Sequence, residues 1–292
     1  MTVLEILNLK TRELKRHRIE NPRLNAELLL ARAMKLSREG LYTRLHSELE
    51  EKEEEEFDRM LGRRLSGEPL QYVLGSQEFW SIDLKVDRRV LIPRPETELL
   101  VDQALSVLSR ISLERAPVLL EIGTGSGAVA IALAKERQEL SVIATDISME
   151  ALSLAGENAE RAGAGGQISW VCGDLFGPFR KKACFDLILS NPPYVIRSDV
   201  RRLAREVKDF EPVLALDGGE DGLDFYRKII SQACCHLRKE GWLLLEIGQG
   251  QGDAVCRQVW ETGHFLKPEL LRDLSGIGRV VQAQKFTPPA CA

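Results

Sequence analysis

From Pro117 onward, short apolar runs alternate with stretches of helical periodicity, and this alternation constrains the fold more than any other feature of the 292-residue chain. Residues 118–122, 141–145, 168–172, 185–189 and 242–247 read as strands, and 128–135 and 149–162 as helices. Strands separated by helices of about ten residues or more predict a parallel sheet covered on both faces. Near the end, 265–271 and 279–285 flank Asp273-Leu274-Ser275-Gly276-Ile277-Gly278, which suggests an antiparallel hairpin that closes the sheet.

The first 70 residues carry a different pattern. Leu4, Leu7 and Leu14, then Ala26, Leu28, Leu29, Leu30, Ala33 and Met34, then Leu41, Leu45 and Leu49 recur at three-to-four spacing. Asn21-Pro22 reads as a helix start, with Asn21 as the cap and Pro22 at the first helical position. The acidic run 48–58 reads as a solvated helix face. Past Gly67-Glu68-Pro69, residues 71–75 and 79–90 read as a hairpin or a pair of short strands, and Pro93 and Pro95 bracket a turn before a helix near Glu96. The expected organisation is a helical domain over 1–70, a hairpin linker over 71–92, and an α/β domain over 93–292. No internal repeat is visible.

Composition narrows the function classes. With 44% hydrophobic residues and a net charge of only −4, the chain can bury a core and is not expected to be disordered. No apolar run approaches the roughly 20 residues of a membrane helix, and the N-terminus lacks the apolar stretch and small-residue cleavage site of a signal peptide. Cys172, Cys184, Cys234, Cys235, Cys256 and Cys291 form no C-x-x-C pair, which fits a reducing compartment and argues against a disulfide framework or a zinc site. Acids outnumber bases, 44 to 40, whereas a protein built to grip long nucleic acid usually shows a basic footprint. These features lead us to expect a cytoplasmic protein with no bound metal and no direct nucleic-acid or membrane partner. It is expected to be monomeric, since no heptad seam or large apolar face demands a second copy.

The first chemical signal is Glu121-Ile122-Gly123-Thr124-Gly125-Ser126-Gly127, which leaves a predicted strand and opens a predicted helix. Glycines there let the backbone turn sharply and approach a ligand without an intervening Cβ. Asp146, at the tip of the next strand, can accept hydrogen bonds from ribose hydroxyls. The spacing is G-x-G-x-G, not the G-x-G-x-x-G of dinucleotide sites, although a dehydrogenase stays open on the loop alone. A loop without lysine disfavours a triphosphate, so a cofactor with ribose but no phosphate fits, and S-adenosyl-L-methionine is the obvious one.

The second signal is more specific. An apolar strand runs straight into Ser190-Asn191-Pro192-Pro193-Tyr194. Ligands of open α/β sheets bind outside the carboxyl ends of the strands. Two successive prolines remove two backbone donors and stiffen the turn. The carbonyls beside them and the Asn191 side-chain oxygen can then accept from a planar NH₂ group, turning its nitrogen toward an electrophilic methyl. Tyr194 is expected to stack on the flat face of that group. A glutamine amide and an exocyclic amine of adenine in DNA or guanine in RNA both satisfy this geometry.

These two motifs, with GEPLQYVLGSQEFW (67–80), VLIPRPETELLV (90–101), ATDISMEALSLAGENA (144–159), GDLF (173–176), EPVLALDGGEDGLDFYRKII (211–230) and LLLEIGQGQ (243–251), resemble the PrmC/HemK family, the protein-(glutamine-N5) methyltransferases of peptide-chain release factors. The resemblance covers nearly the whole chain and is weakest over 1–60. It implies a class I, Rossmann-like methyltransferase fold with a mostly parallel seven-stranded sheet. It also implies methyl transfer from S-adenosyl-L-methionine, leaving S-adenosyl-L-homocysteine, to the glutamine of the Gly-Gly-Gln motif of class 1 release factors. On that basis Gly123, Thr124, Gly125, Ser126 and Gly127 cradle the methionine end of the cofactor, Asp146 its ribose, and Asp174 and Leu175 its adenine. Asn191, also at the cofactor, joins Pro192, Pro193 and Tyr194 in holding the amide, and Asn191, Pro192 and Tyr194 are the expected catalytic residues. Two positions depart from the family pattern: Glu121, where aspartate is usual, and Leu175, where some relatives carry an aromatic residue.

Other polar residues rank lower. Arg94 and Glu96 read chiefly as a structural turn and cap, and His17, His46, His236 and His264 belong to no constellation. Asp217-Gly218-Gly219-Glu220-Asp221-Gly222 lacks the alternating oxygen ligands of a calcium loop and reads as a flexible turn. Residues 1–70 offer no reactive group and are expected to dock the substrate protein. An alternative, a protein that keeps the fold and binds without catalysis, is disfavoured by the intact Asn191-Pro192-Pro193-Tyr194 and Asp146.

Overall fold

A computed structural model describes residues 1–111 and 115–286; Cys291 lies outside them. The chain divides into two compact units, Met1–Ser76 with Ala204–Phe210, and Gln77–Leu203 with Glu211 onward.

The first unit is helical: α1 Val3–Arg16, α2 Pro22–Ala33, α3 Arg38–Thr43, α4 Glu51–Leu65 and α5 Leu70–Leu74. Its core is the periodic set read from the sequence, with Leu7, Leu14, Leu29, Leu30 and Leu41 buried against Phe57 and Met60. A capping box between Thr2 and Glu5 starts α1, and one between Glu50 and Glu53 starts α4. Asn21 does occupy the cap position of α2, but its side chain caps nothing. Its backbone is left-handed (φ 47°), and its carbonyl accepts from the Asn25 backbone and side-chain nitrogens.

Two boundaries differ from expectation. Residues 71–74, read as strand, are helix α5, ended by the left-handed Gly75 (φ 77°). Arg63 decides this from outside the segment: its guanidinium donates to the carbonyls of Tyr72, at 3.0 Å, and Val73, and so caps the helix end. The helical unit therefore runs to Ser76. The second difference is Ala204–Phe210, which belongs to the same unit through the buried Arg64, 2.9 Å from Glu206.

The second unit opens with the hairpin β1 Ser76–Phe79 and β2 Ile82–Lys85. Trp80 and Ser81 at its tip both have positive φ, a conformation that hairpins usually give to Asn-Gly. Two acids hold the tip: Glu98 accepts from the Trp80 backbone N–H at 2.9 Å and Glu136 from its indole at 2.8 Å. After α6 Glu98–Leu108 come β3 Val118–Ile122, α7 Ala128–Glu136, β4 Ser141–Asp146, α8 Met149–Ala162, β5 Ile168–Cys172, β6 Phe185–Ser190, a helix over Asp224–His236, β7 Leu237–Glu246, a helix over Gly252–Glu261, β8 Glu269–Arg272 and β9 Gly278–Gln284.

The seven-stranded sheet has the order β5-β4-β3-β6-β7-β9-β8, parallel from β5 to β7 and antiparallel at β9 and β8. β7 begins earlier than its apolar pattern suggests, because Leu237 pairs with Phe185 ahead of an irregularity in the ladder. β8 begins later, at Glu269: Pro268 has no N–H to donate, so Phe265 makes only an isolated bridge to Lys285. Asp186, at the start of β6, is pinned by Arg115, Arg238 and the Val118 N–H, and these hydrogen bonds hold its carboxyl below the usual range against the opposing effect of burial.

Chain order reverses between β3 and β6, the place where open α/β sheets bind ligands. Register there is tight: Ile122 pairs with Ser190, and Ser190 with Leu245. The next residues, Gly123, Asn191 and Glu246, therefore leave three neighbouring strands side by side.

Candidate active site

A cavity of about 460 Å³ sits over this strand junction. Of the residues singled out from the sequence, Gly123, Thr124, Gly125, Ser126, Asp146, Asp174, Leu175, Asn191, Pro192 and Pro193 line it. Gly127 and Tyr194 do not line it.

The glycine loop is built on β4. The N–H groups of Gly123 and Thr124 both donate to the Thr145 carbonyl, at 2.8 and 2.9 Å. The Gly125 N–H donates to Asp146 Oδ2 at 2.9 Å, while the other oxygen of that carboxylate accepts from the Ser148 N–H at the start of α8. All three glycines have positive φ. A Cβ on Gly123 or Gly125 would meet nothing within 4 Å, whereas one on Gly127 would press on Ala155, Ile131 and Trp170. The first two open space for a ligand; the third permits helix packing.

Asn158, which sequence reading passed over, clamps this loop from α8. Its amide donates to the carbonyls of Ser126 and Lys85, and its oxygen accepts from the Lys85 N–H. One buried side chain thus joins the hairpin strand β2 to the cradle.

Glu121 lines the cavity yet is almost fully buried. Burial pushes its carboxyl up to about 8, helped by the nearby Asp146, against hydrogen bonds from Thr124 and the Ala130 backbone. Glutamate and the usual aspartate differ by one methylene; here Glu121 Oε2 reaches the Thr124 hydroxyl at 2.7 Å.

The Asn-Pro-Pro-Tyr turn follows β6, whose last residue, Ser190, donates through its hydroxyl to the Ile122 carbonyl at 2.8 Å. Asn191 Nδ2 donates to Thr97 Oγ1 at 3.3 Å. Behind both lies Glu246, buried and pushed up to about 7 by burial, with Thr97 and Asn191 close enough to oppose that rise. Neither Thr97 nor Glu246 was identified from the sequence. The available signal was an acid at the carboxyl end of an otherwise apolar strand.

Tyr194 is half-buried: its side chain packs against the core that contains Tyr226 and Ile247, and it is not among the residues that line the cavity. Burial raises its hydroxyl pKa, and the nearby Glu246 adds to the effect.

Its surroundings explain the placement. A Cβ on Gly218 would stand 2.7 Å from the Tyr194 Cα, one on Gly222 2.5 Å from its carbonyl oxygen, and one on Gly248 2.9 Å from its ring. Gln251 Nε2 donates to the Tyr194 carbonyl at 3.1 Å, and Val195 pairs with Asp217. The 217–222 segment, expected to be a flexible turn, is a buttress for the turn that carries Asn191. Arg94 and Glu96 part company in the structure. Arg94 pairs with the buried Glu211 at 2.5 Å, and Glu211 also accepts from the Ile92 N–H, while Glu96 lies half-exposed, 3.7 Å from Arg279.

Among the described residues no cluster of His, Cys, Asp and Glu could hold a metal ion, and no helix is long and apolar enough to cross a membrane. The five cysteines among them are free thiols. His236 is buried and stacks on Phe176 at 4.6 Å between ring centres.

The cavity therefore combines an open glycine cradle, a carboxylate beside it, and a rigid amide-and-carbonyl turn one strand away. Among solved structures, a methyltransferase from Pyrococcus furiosus matches with a TM-score of 0.52 at 19% identity, covering 70% of this chain and 90% of that one. The hMettl16 catalytic domain, in complex with MAT2A 3′UTR hairpin 6, matches with a TM-score of 0.57 at 15% identity, covering 80% and 84%. At such identities the likeness is one of fold.

Sequence likeness goes further. Residues 5–75 match the family model of the PrmC N-terminal domain and residues 98–208 that of the methyltransferase small domain. The release factor glutamine methyltransferase of Geobacter sulfurreducens is 42% identical over 283 residues, 96% of this chain and 95% of that one. The one from Koribacter versatilis is 40% identical over 287 residues, 98% and 100% of the two chains. With likeness of this degree running through both units, the chain belongs to the release factor glutamine methyltransferase family.

Proposed function

We propose that this protein transfers a methyl group from S-adenosyl-L-methionine to the side-chain amide nitrogen, N5, of the glutamine in the Gly-Gly-Gln motif of class 1 peptide-chain release factors, in the cytoplasm. The observation that carries this reading is the register that sets Gly123 and Asn191 side by side at the head of one cavity. A cofactor site and an amide-holding turn then share a single space.

The residues present fit the cofactor. The cavity falls within the range of small-molecule sites, about 300–1,000 Å³. Gly123 and Gly125 leave room where a Cβ would stand, and Asp146 offers a carboxylate beside them. Gly123 to Ser126 would hold the methionine end, Asp146 the ribose, and Asp174 and Leu175 the adenine. When bound, the cofactor supplies an electrophilic methyl on a sulfonium.

An amide nitrogen is a poor nucleophile because its lone pair is delocalised. The task of this chain is therefore orientation. Asn191 Oδ1 and the Pro192 carbonyl accept the two amide hydrogens and aim the nitrogen at the methyl; such positioning contributes up to about 7–11 kcal/mol in the best cases. No strong base is required ahead of transfer, since the nitrogen sheds its proton once it has lost planarity. Tyr194 serves by fixing the turn from behind. The helical unit, Met1–Ser76 with Ala204–Phe210, docks the folded substrate, because a pocket that reads one amide cannot by itself select one protein.

Mass spectrometry of a release factor co-expressed with the enzyme tests the reading: one added methyl is expected on the peptide carrying Gly-Gly-Gln. Asn191→Ala should abolish that mass shift while leaving affinity for the cofactor within a few-fold. Near-wild-type turnover of this variant, or label passing from the cofactor to bulk DNA or RNA instead of the release factor, would refute the assignment.

A further inference from the structure

Asn191 has a carboxamide whose two ends are nearly alike in shape and opposite in hydrogen bonding. With its oxygen toward the substrate it accepts an amide N–H; rotated by half a turn, it presents NH₂ to NH₂. Something must select between these states, and the cavity wall alone does not.

We propose that Thr97 and Glu246 are positioning residues that hold the Asn191 carboxamide with its oxygen facing the substrate; the inference rests on the amide-holding role proposed above. Glu246 leaves β7 beside Asn191 in the strand register, is almost fully buried, and does not line the cavity. As a carboxylate it only accepts. The Thr97 hydroxyl has one hydrogen; turned toward Glu246, which carries a buried oxygen without a partner, it leaves the Thr97 oxygen only to accept. The group it accepts from is Asn191 Nδ2, at 3.3 Å. Asn191 also lies close enough to Glu246 to favour its ionised form, and a carboxylate can take only the NH₂ end of the amide. Polarity thus runs from the buried carboxylate through the hydroxyl to the amide, and Oδ1 is left for the substrate. Glu246 Oε2 is buried and has no hydrogen-bond partner among the described residues, so it is open to a donor from this side.

The relay depends on charge. Glu96, next to Thr97, and Tyr194 and Tyr226 face Glu246 along with Arg279 from β9, and of these only Arg279 favours the ionised form. With the carboxyl near 7, acidification adds a hydrogen that can be donated to Thr97, and the chain of hydrogen bonds can reverse.

The test uses the full-length enzyme with intact release factor. Thr97→Val, which can neither accept nor donate, should lower kcat by at least roughly tenfold, the order of one lost hydrogen bond, with KM within about threefold. Thr97→Ser should restore kcat to within about threefold of wild type. Affinity for S-adenosyl-L-homocysteine, measured by calorimetry, should hold in both and shows that each variant is folded. Wild-type kcat should fall as pH drops through about 7, and Glu246→Gln, whose amide accepts or donates equally well, should lower kcat and remove that step.

A second readout needs no substrate. In ¹⁵N-labelled enzyme, the Asn191 side-chain NH₂ signals, identified by their loss in Asn191→Ala, should titrate near pH 7 in wild type and not in Glu246→Gln. Thr97→Val with wild-type kcat, or Asn191 signals indifferent to pH, would overturn the relay. A wild-type enzyme that leaves release factor unmethylated while its Asn191 signals titrate would overturn the proposed function and support the relay.

Discussion

Glu121 is both buried and part of the cavity lining, which ties its protonation to stability and to what the cavity binds. Its carboxyl is raised from 4.5 to about 8 in the folded chain, chiefly by burial, so the fold favours the neutral form. The stabilising preference is complete below about pH 4.5 and is lost as pH rises through about 8, a swing of at most about 5 kcal/mol. Glu121→Gln should therefore melt near wild type at pH 5 and above it at pH 9, with the gap widening up to about pH 8 and levelling off beyond it. A difference in melting temperature that stays flat across this range would show that Glu121 ionises freely in the fold. The same carboxyl lines the cavity, so a cationic cofactor should favour its ionised form. Binding of S-adenosyl-L-methionine at pH 7 should then release a proton, seen as a calorimetric enthalpy that varies with buffer, and Glu121→Gln should remove the dependence.

At the scale of elements, the turn after β6 is held by its neighbours more than by its own sequence. Two prolines stiffen it, but its position comes from Gly218 and Gly222 on one side and from Gly248 and Gln251 on the other. Gly218 has an ordinary φ, so Ala meets no dihedral strain there. The added Cβ would instead strike backbone atoms of Tyr194 and Pro193, at 2.7 to 2.9 Å, and backbone gives way only by moving the turn. Gly218→Ala should lower kcat by about tenfold or more, as a misplacement of about 1 Å can cost a hundredfold. Affinity for S-adenosyl-L-homocysteine should stay within about threefold, because the glycine cradle stands on β3 and β4. Equal losses in both measurements would mean that the buttress supports the whole cavity and not the turn alone.

At the scale of the molecule, the docking role proposed for the helical unit can be tested by removing it. The helical unit carries its own core and its own buried polar network, in which Glu27 accepts from Arg23, Arg38 and Tyr42. Removing residues 1–76 should raise the apparent KM for intact release factor by at least about tenfold, near 1.4 kcal/mol, and leave cofactor affinity almost unmoved. A folded deletion variant with unchanged KM would leave the helical unit a stabilising role only. Much of this division was legible beforehand. The period of apolar residues separated the helical from the α/β part, and the strand runs of β3 and β5 and the span of α8 came out as read, because burial on a sheet or a helix face imprints a local period. The glycine loop and the Asn-Pro-Pro-Tyr turn were equally plain, since both depend on residue types with unusual backbones. What the sequence by itself determined, then, is the split between helical and α/β parts, most strands of the sheet, and the glycine loop and Asn-Pro-Pro-Tyr turn. Contacts between distant residues decided the rest. Arg63 capping α5, acids holding the left-handed Trp80, Tyr194 drawn into the core and Glu246 placed behind Asn191 all depend on which strands and helices meet. Such contacts leave no local period, because a side chain's partner is set by the register of the sheet and not by its neighbours in the chain.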